Sequence, residues 1–196
     1  MSQARSYHHG NLRAVLLDAA ERSIEERGVG QLSLRELART AGVSHAAPRG
    51  HFPDRQALLD ALAERGFERL AAGMRAAAGE PGPAFAARLQ AAGAAYVAFA
   101  SSNPALLELM YANKPRGDAA GLRAAMADVL SVVLGLVADG IADGVLAAGD
   151  PERYALLLFA TIRGIAALAI NGIVGPDTIG QLLDDAGATF IRGSAP

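Results

Sequence analysis

Leu12, Leu16, Ala19, Ala20, Ser23 and Ile24 recur every three or four residues, while Glu21, Arg22, Glu25 and Glu26 fall on the opposite side. That spacing predicts an amphipathic helix. Gly28 closes it, because glycine suits the left-handed position just past a helix end. In "LSLRELA" Ser33 is placed to cap a second helix and Glu36, three residues on, to return the bond. Leu32 and Leu37 stand as the hydrophobic staple around that capping box, and Gly42 ends the helix. Ser44 is a further cap position, opening a third, short helix over roughly 45–51, with Phe52 as the apolar anchor after it. Asp54 caps a fourth, with Leu58, Leu59, Leu62 and Phe67 on one face, running to about Ala78.

"GEPGP" (79–83) breaks the pattern. Five more helices follow. The first begins with Pro83 in its first turn, and the second takes Asn103 as cap and Pro104 as its first residue. "KPRGD" is a loop. A long segment from Asp118 to about Ala147 is expected to break or bend near Gly140 and Gly144. Asp150 and Pro151 open the next helix, and the last spans about 177–192. No strand-like alternation and no internal repeat occurs. The expected fold is all-α, with about nine helices: a three-helix module over 1–53, a connecting helix over 54–78 and a larger helical domain over 79–196.

Composition sharpens this picture. Of the 196 residues 52% are hydrophobic and 19% charged, enough for a sizeable core. Net charge is −2, so the chain as a whole is no generic polyanion binder. Residues 1–70 carry ten arginines against nine acids, and residues 71–196 eight basic residues against eleven acids. No acid precedes Asp18, whereas Arg5, His8, His9 and Arg13 do, which fits a basic arm beside a localised anion-binding face. The absence of cysteine excludes disulfides, thiolate metal sites and cysteine nucleophiles. His8-His9 has no carboxylate at ligand spacing, and neither a Ser-His-Asp grouping nor a phosphate-binding glycine loop is evident. No enzyme activity, metal or cofactor is expected. The apolar run 154–175 is long enough to span a bilayer, but Arg163 near its middle argues for burial in a bundle or dimer. With no signal peptide apparent in residues 1–15, a cytoplasmic protein is expected.

Helix, glycine-containing turn and helix over 34–52 fit either a helix-turn-helix, the arrangement whose second helix enters the major groove of DNA, or a plain helical hairpin of an all-α protein. Ala38 is small where the helices cross, Gly42 permits the turn, and Val43 fills the angle. Over 11–65 the sequence resembles the DNA-binding domain of the tetracycline-repressor (TetR) family of bacterial regulators. The Ala19-Ala20 pair, Gly28, the Ser33 cap, Ala38, Gly42-Val43-Ser44, His51-Phe52 and Arg55 carry the likeness. The arm "YHHGNLR" and "AYVAFASSNPALLELMY" resemble the subgroup named for a Trp-His-Gly motif. That motif is degraded here: Gly164 is kept, Arg163 stands at the histidine, and the chain has no tryptophan.

The resemblance implies that Ser44, His45, Ala46 and Ala47 face base edges and that His51 and Arg55 hold phosphates. Arg49 stands where the family usually has tyrosine, and contacts either a phosphate or guanine O6 and N7. Arg35 is a further phosphate candidate, and the N-terminal arm is placed to follow the minor groove. The partner the resemblance implies is double-stranded DNA, with a palindromic operator read by a homodimer. Leu157, Gly164, Leu168, Ile179, Leu182, Leu183 and Ala186 are the expected dimer contacts. Tyr96, Phe99, Met110, Tyr111, Met126, Phe159 and Arg163 are the expected lining of a pocket for a small-molecule effector that releases the repressor from its operator. For Arg163 the residues alone leave open a pair with Asp128 or Asp139, a place at the dimer edge, or a bond to the effector. The rival reading is a protein–protein module of the same fold without operator binding.

Overall fold

The computed structural model of the chain describes residues 12–80, 84–112 and 119–196, and among them it holds eight α-helices and no strand. The helices are α1 (Leu12–Arg27), α2 (Leu34–Thr40), α3 (Arg55–Ala78), α4 (Phe85–Ser102), α5 (Pro104–Ala112), α6 (Ala120–Ala142), α7 (Pro151–Ile170) and α8 (Pro176–Gly193). The chain divides into two compact units, Met1–Gly66 with Ala105–Leu122, and Phe67–Pro104 with Arg123–Pro196. The division thus falls inside α3, α5 and α6.

In the first unit, Leu16, Ile24, Leu37, Ala38, Phe52, Leu58 and Leu62 are buried together with Leu106 and Met110. Gly28 and Gly42 both take positive φ, 78° and 66°, which lets the chain reverse after α1 and α2. Ser33 occupies the N-cap of α2 in extended backbone, yet its side chain makes no capping bond. The expected capping box does not form, and the Glu36 carboxylate pairs instead with Arg27, with Arg39 at 3.6 Å. Its two leucines are nevertheless both buried. Asp54 behaves as expected, its carboxylate accepting the Ala57 N–H at 2.8 Å. At α5, Pro104 is the first residue, but the cap is not Asn103. The Asn103 amide donates instead to the Phe99 carbonyl at 2.8 Å, and Glu25 of α1 accepts the N–H groups of Ala105 and Leu106.

In the second unit α4 packs on both α7 and α8, and α7 on α8. Arg88 of α4 ties this layer to α6, donating to Asp139 at 2.9 Å and to the Ala78 carbonyl at 3.3 Å. α6 stays helical through Gly140 and ends at Ala142, after which Gly144 turns with φ 69°. Gly140 is required by packing: a Cβ there would sit 2.7 Å from the Phe85 ring. Asp150 caps α7 through the N–H groups of Glu152 and Arg153, at 3.0 and 3.3 Å. Helices α6 and α7 are long and apolar enough to cross a membrane by length and composition. The N-terminal arm, Pro83 and the "KPRGD" loop lie outside the described residues.

Candidate DNA interface and effector cavity

The expected third helix is not an α-helix. Ala47–Gly50 forms a single 3-10 turn. Its bonds run from Ala47 N–H to the Ser44 carbonyl at 3.0 Å, Arg49 N–H to Ala46 at 3.1 Å and His51 N–H to Pro48 at 3.0 Å. Proline explains the tightening: Pro48 has no N–H to offer the Ser44 carbonyl four residues back, and its ring crowds that oxygen. Pro48 also pins the segment, being its one buried residue, and Phe52 just beyond is 2% exposed. The Arg13 guanidinium covers the Phe52 ring at 5.6 Å. On that footing Ser44, His45, Ala46, Arg49 and His51 are exposed, and Ala47 is half-buried. The two apolar pins fix the backbone, and the polar residues between them are left outward.

Arg35, in the first turn of α2, is exposed as well. Arg55 is exposed but engaged: its Nε donates to the Leu32 carbonyl at 3.0 Å and its Nη2 to that of Val29 at 2.6 Å. It thereby holds the 3-10 turn Val29–Gln31 that joins α1 to α2. Guanidinium has five N–H groups, so three remain for an anion. Behind the segment, Arg65 of α3 pairs with Asp18 at 2.6 Å and with Glu21. Burial alone would depress this guanidinium, but the bonds to Glu21 and Asp18 hold it above its ordinary value. Glu36 is held below the usual carboxylate range by its bond from Arg27.

The second unit contains a cavity of about 510 Å³, lined by residues of α3, α4, α6, α7 and α8. Small side chains make the space: Ala86 and Ala87 on α4, and Ala186, Gly187 and Ala188 on α8. Gly93 closes it beside Ile162, whose Cδ1 would lie 2.9 Å from a Cβ at that position. Only Gln90, Thr161, Asp184 and Arg192 are polar in the lining. On the outer face of α7, Leu156 and Leu157 are 54% and 57% exposed, and Ile173 after its end is 67% exposed.

Residues 16–62 match the family model described as bacterial regulatory proteins, tetR family. Residues 89–189, more than half the chain, match the one described as tetracyclin repressor-like, C-terminal domain. The chain belongs to the tetR family. This tetR-family chain is a DNA-binding transcriptional regulator, in which a helix-turn-helix module precedes a C-terminal ligand-binding domain. It is similar to a solved protein of unknown function from Rhodococcus sp. RHA1, 46% identical with a TM-score of 0.89, covering 98% of this chain and 100% of that one. A bacterial regulatory protein in the tetR family from Rhodococcus RHA1 shares the fold at 20% identity and a TM-score of 0.72, over 93% of this chain and 96% of that one. The HTH-type transcriptional regulator TtgR of Pseudomonas putida is 43% identical over 56 residues, 26% of this chain and 27% of that regulator. The match therefore spans only about a quarter of that relative.

None of the seven residues expected to line the effector pocket of this tetR-family regulator lines this particular cavity. Met110 and Tyr111 belong to the first compact unit. Tyr96 is buried with its ring edge-on to Phe159 at 6.0 Å, Phe99 lies under the Arg69 guanidinium at 5.6 Å, and Met126 is half-buried. Arg163 is exposed, and the two aspartates considered for it are taken, Asp128 by Arg75 and Asp139 by Arg88. Large apolar residues at helical spacing fill the core, while the cavity lies where side chains are small. The alanine and glycine clusters of α4 and α8 were the available signal. Of the expected dimer contacts, Leu157 and Gly164 are exposed and Leu168, Ile179 and Leu182 half-buried, whereas Leu183 and Ala186 line the cavity.

Proposed function

We propose that two copies of this regulator grip a palindromic operator, repress transcription there, and let go when a small effector enters the cavity. The observation that carries the reading is the segment 44–51, which exposes Ser44, His45, Ala46, Arg49 and His51 around the buried Pro48. Small residues there let backbone approach base edges, while Arg35, Arg49, His51 and Arg55 supply phosphate or guanine contacts. The chain needs no cofactor and performs no catalysis in this scheme, and acts in the cytoplasm, where the DNA is.

One short segment reads too few base pairs for selectivity, so a second copy is required. The exposed apolar side of α7 (Leu156, Leu157, Ile170) and the half-buried Ile179 and Leu182 of α8 support pairing. That covering is preferred to a bilayer because Arg163 sits in the middle of α7, with Arg153 and Glu152 at its start. The domains are assigned as 1–53 for reading, 54–78 for connection and 79–196 for effector binding and dimerisation. An effector shifts the equilibrium between DNA-competent and incompetent forms only by its differential affinity for them, typically ~1–3 kcal/mol.

Gel shift on promoter fragments from the gene's own locus tests this, with and without a ligand that raises the melting temperature. Binding has to weaken steeply as salt rises, through counterion release. A stabilising ligand that leaves DNA binding unchanged defeats the release step. Salt-independent association with protein alone would favour the interaction-module reading instead.

A further inference from the structure

The chemistry of the cavity is narrower than its volume. About 510 Å³ suits a small organic molecule of drug size. The walls are aliphatic: Met74, Leu89, Val133, Leu136, Ile162 and Ile165 supply the bulk, and no aromatic ring lines them. A quaternary or primary ammonium therefore finds no ring face to sit against. The lining carboxylate, Asp184, already accepts a bond from the Gln90 amide across from α4. Thr161 turns its hydroxyl back to the Leu157 carbonyl at 2.9 Å, so it offers no hydrogen to an occupant. Arg192 differs. It is exposed in the last turn of α8, donates from Nη2 to the Thr189 hydroxyl at 3.1 Å, and has no acidic partner among the described residues. It stands eight residues beyond Asp184, ~12 Å along the helix. The lining thus carries a carboxylate already engaged by an amide and a guanidinium without an acidic partner among the described residues.

Resting on the reading that this cavity holds the effector, we infer that its occupant is a monocarboxylic acid with an aliphatic body, the body lying against the small-residue walls and the carboxylate on Arg192. The body gains from leaving water, whereas a carboxylate anywhere but at Arg192 would meet no cationic partner in the lining. Guanidinium and carboxylate pair in a planar, two-bond geometry that an alcohol cannot reproduce.

The test is calorimetric titration of the full chain with dodecanoate, dodecan-1-ol and dodecylamine, each below its micelle-forming concentration. Dodecanoate binds about tenfold more tightly than the alcohol, the scale of one charge-assisted bond at a partly exposed site. In Arg192→Gln that preference vanishes while alcohol affinity is kept. Ala87→Phe, which fills the cavity from α4, weakens both ligands with the fold unchanged by circular dichroism. Equal affinity for acid and alcohol, tightest binding of the amine, binding of none of the three, an undiminished preference in Arg192→Gln, or indifference to Ala87→Phe each overturns the inference. A parallel anisotropy titration on labelled promoter DNA separates it from the function above. Arg192-dependent dodecanoate binding that leaves DNA affinity untouched keeps the inference and removes effector release.

Discussion

The carboxylate of Glu25, near the end of α1, accepts a hydrogen bond from the backbone N–H of Leu106 at 3.1 Å, and that of Ala105 lies at 3.4 Å. Leu106 is the third residue of α5, so a side chain 81 positions away satisfies amides that have no partner inside their own helix. The negative charge also meets the positive end of the helix dipole. Glu25→Ala is expected to lower stability by about 1 kcal/mol, the usual worth of a helix cap. Glu25→Gln, which retains an acceptor but not the charge, falls between the two. Urea denaturation followed by circular dichroism measures both. Equal stability of the alanine variant and the parent would show that water replaces the cap without loss.

Acid sensitivity follows from the pair Arg27–Glu36. The bond from Arg27 depresses the Glu36 carboxyl, opposed in part by desolvation. A depressed carboxyl contributes stability above its unfolded value and loses it as pH falls through the folded one. The contribution is therefore complete at neutral pH and disappears below the ordinary glutamate range. Melting temperature of the parent should fall in acid more steeply than that of Glu36→Gln, and the two curves should converge at the acid end. Parallel curves from neutral to acid pH would remove the pair from the account.

Gly140→Ala tests the packing of α6. The added methyl would meet Phe85 Cε2 at 2.7 Å and Leu146 Cδ1 at 3.0 Å. Phe85 is 1% exposed, so its ring must shift within packed surroundings and the substitution costs about 1–3 kcal/mol despite alanine's better helix propensity. Phe85→Leu in the same chain makes room and should restore part of the loss. Thermal melts of the two single variants and the double variant form the required cycle.

Which features were legible in the sequence depended on whether the signal was local. Asp54 and Asp150 cap as their positions indicated, and Gly28 and Gly42 take the left-handed turns expected of them. Spacing along one helix is a local property, and so is the conformational freedom of glycine. Two expected caps differ because a distant charged side chain took one of the groups involved: Arg27 holds the Glu36 carboxylate that was to return the bond to Ser33, and Glu25 accepts the first amides of α5 in place of Asn103. No pattern within "LSLRELA" or "NPALLELMY" contains those competitors. The cavity leaves a different mark in the sequence. Apolar periodicity marks what is large and buried, whereas the space near Ala87, Gly93 and Gly187 follows from the absence of side chain. The short 3-10 turn at Ala47–Gly50 was half visible, since Pro48 and Gly50 both argue against an α-helix there.

Arg49 offers two outcomes that a single pair of measurements separates. It is exposed beside the buried Pro48, on a turn only four residues long. If it holds a phosphate, Arg49→Ala weakens binding alike on operator and unrelated DNA and lowers the salt slope by about 1. If it reaches guanine, the same variant loses about 1–3 kcal/mol on the operator alone and tolerates replacement of one G·C pair in each half-site. Arg49→Lys sharpens the contrast, because lysine serves a phosphate as a point charge but cannot match the two acceptors of guanine in one plane. Anisotropy titrations of the three proteins at two salt concentrations, on operator and scrambled duplexes, decide between them. Unchanged affinity and slope for Arg49→Ala on every duplex would take this residue out of the interface and leave Arg35, His51 and Arg55 to carry the charge.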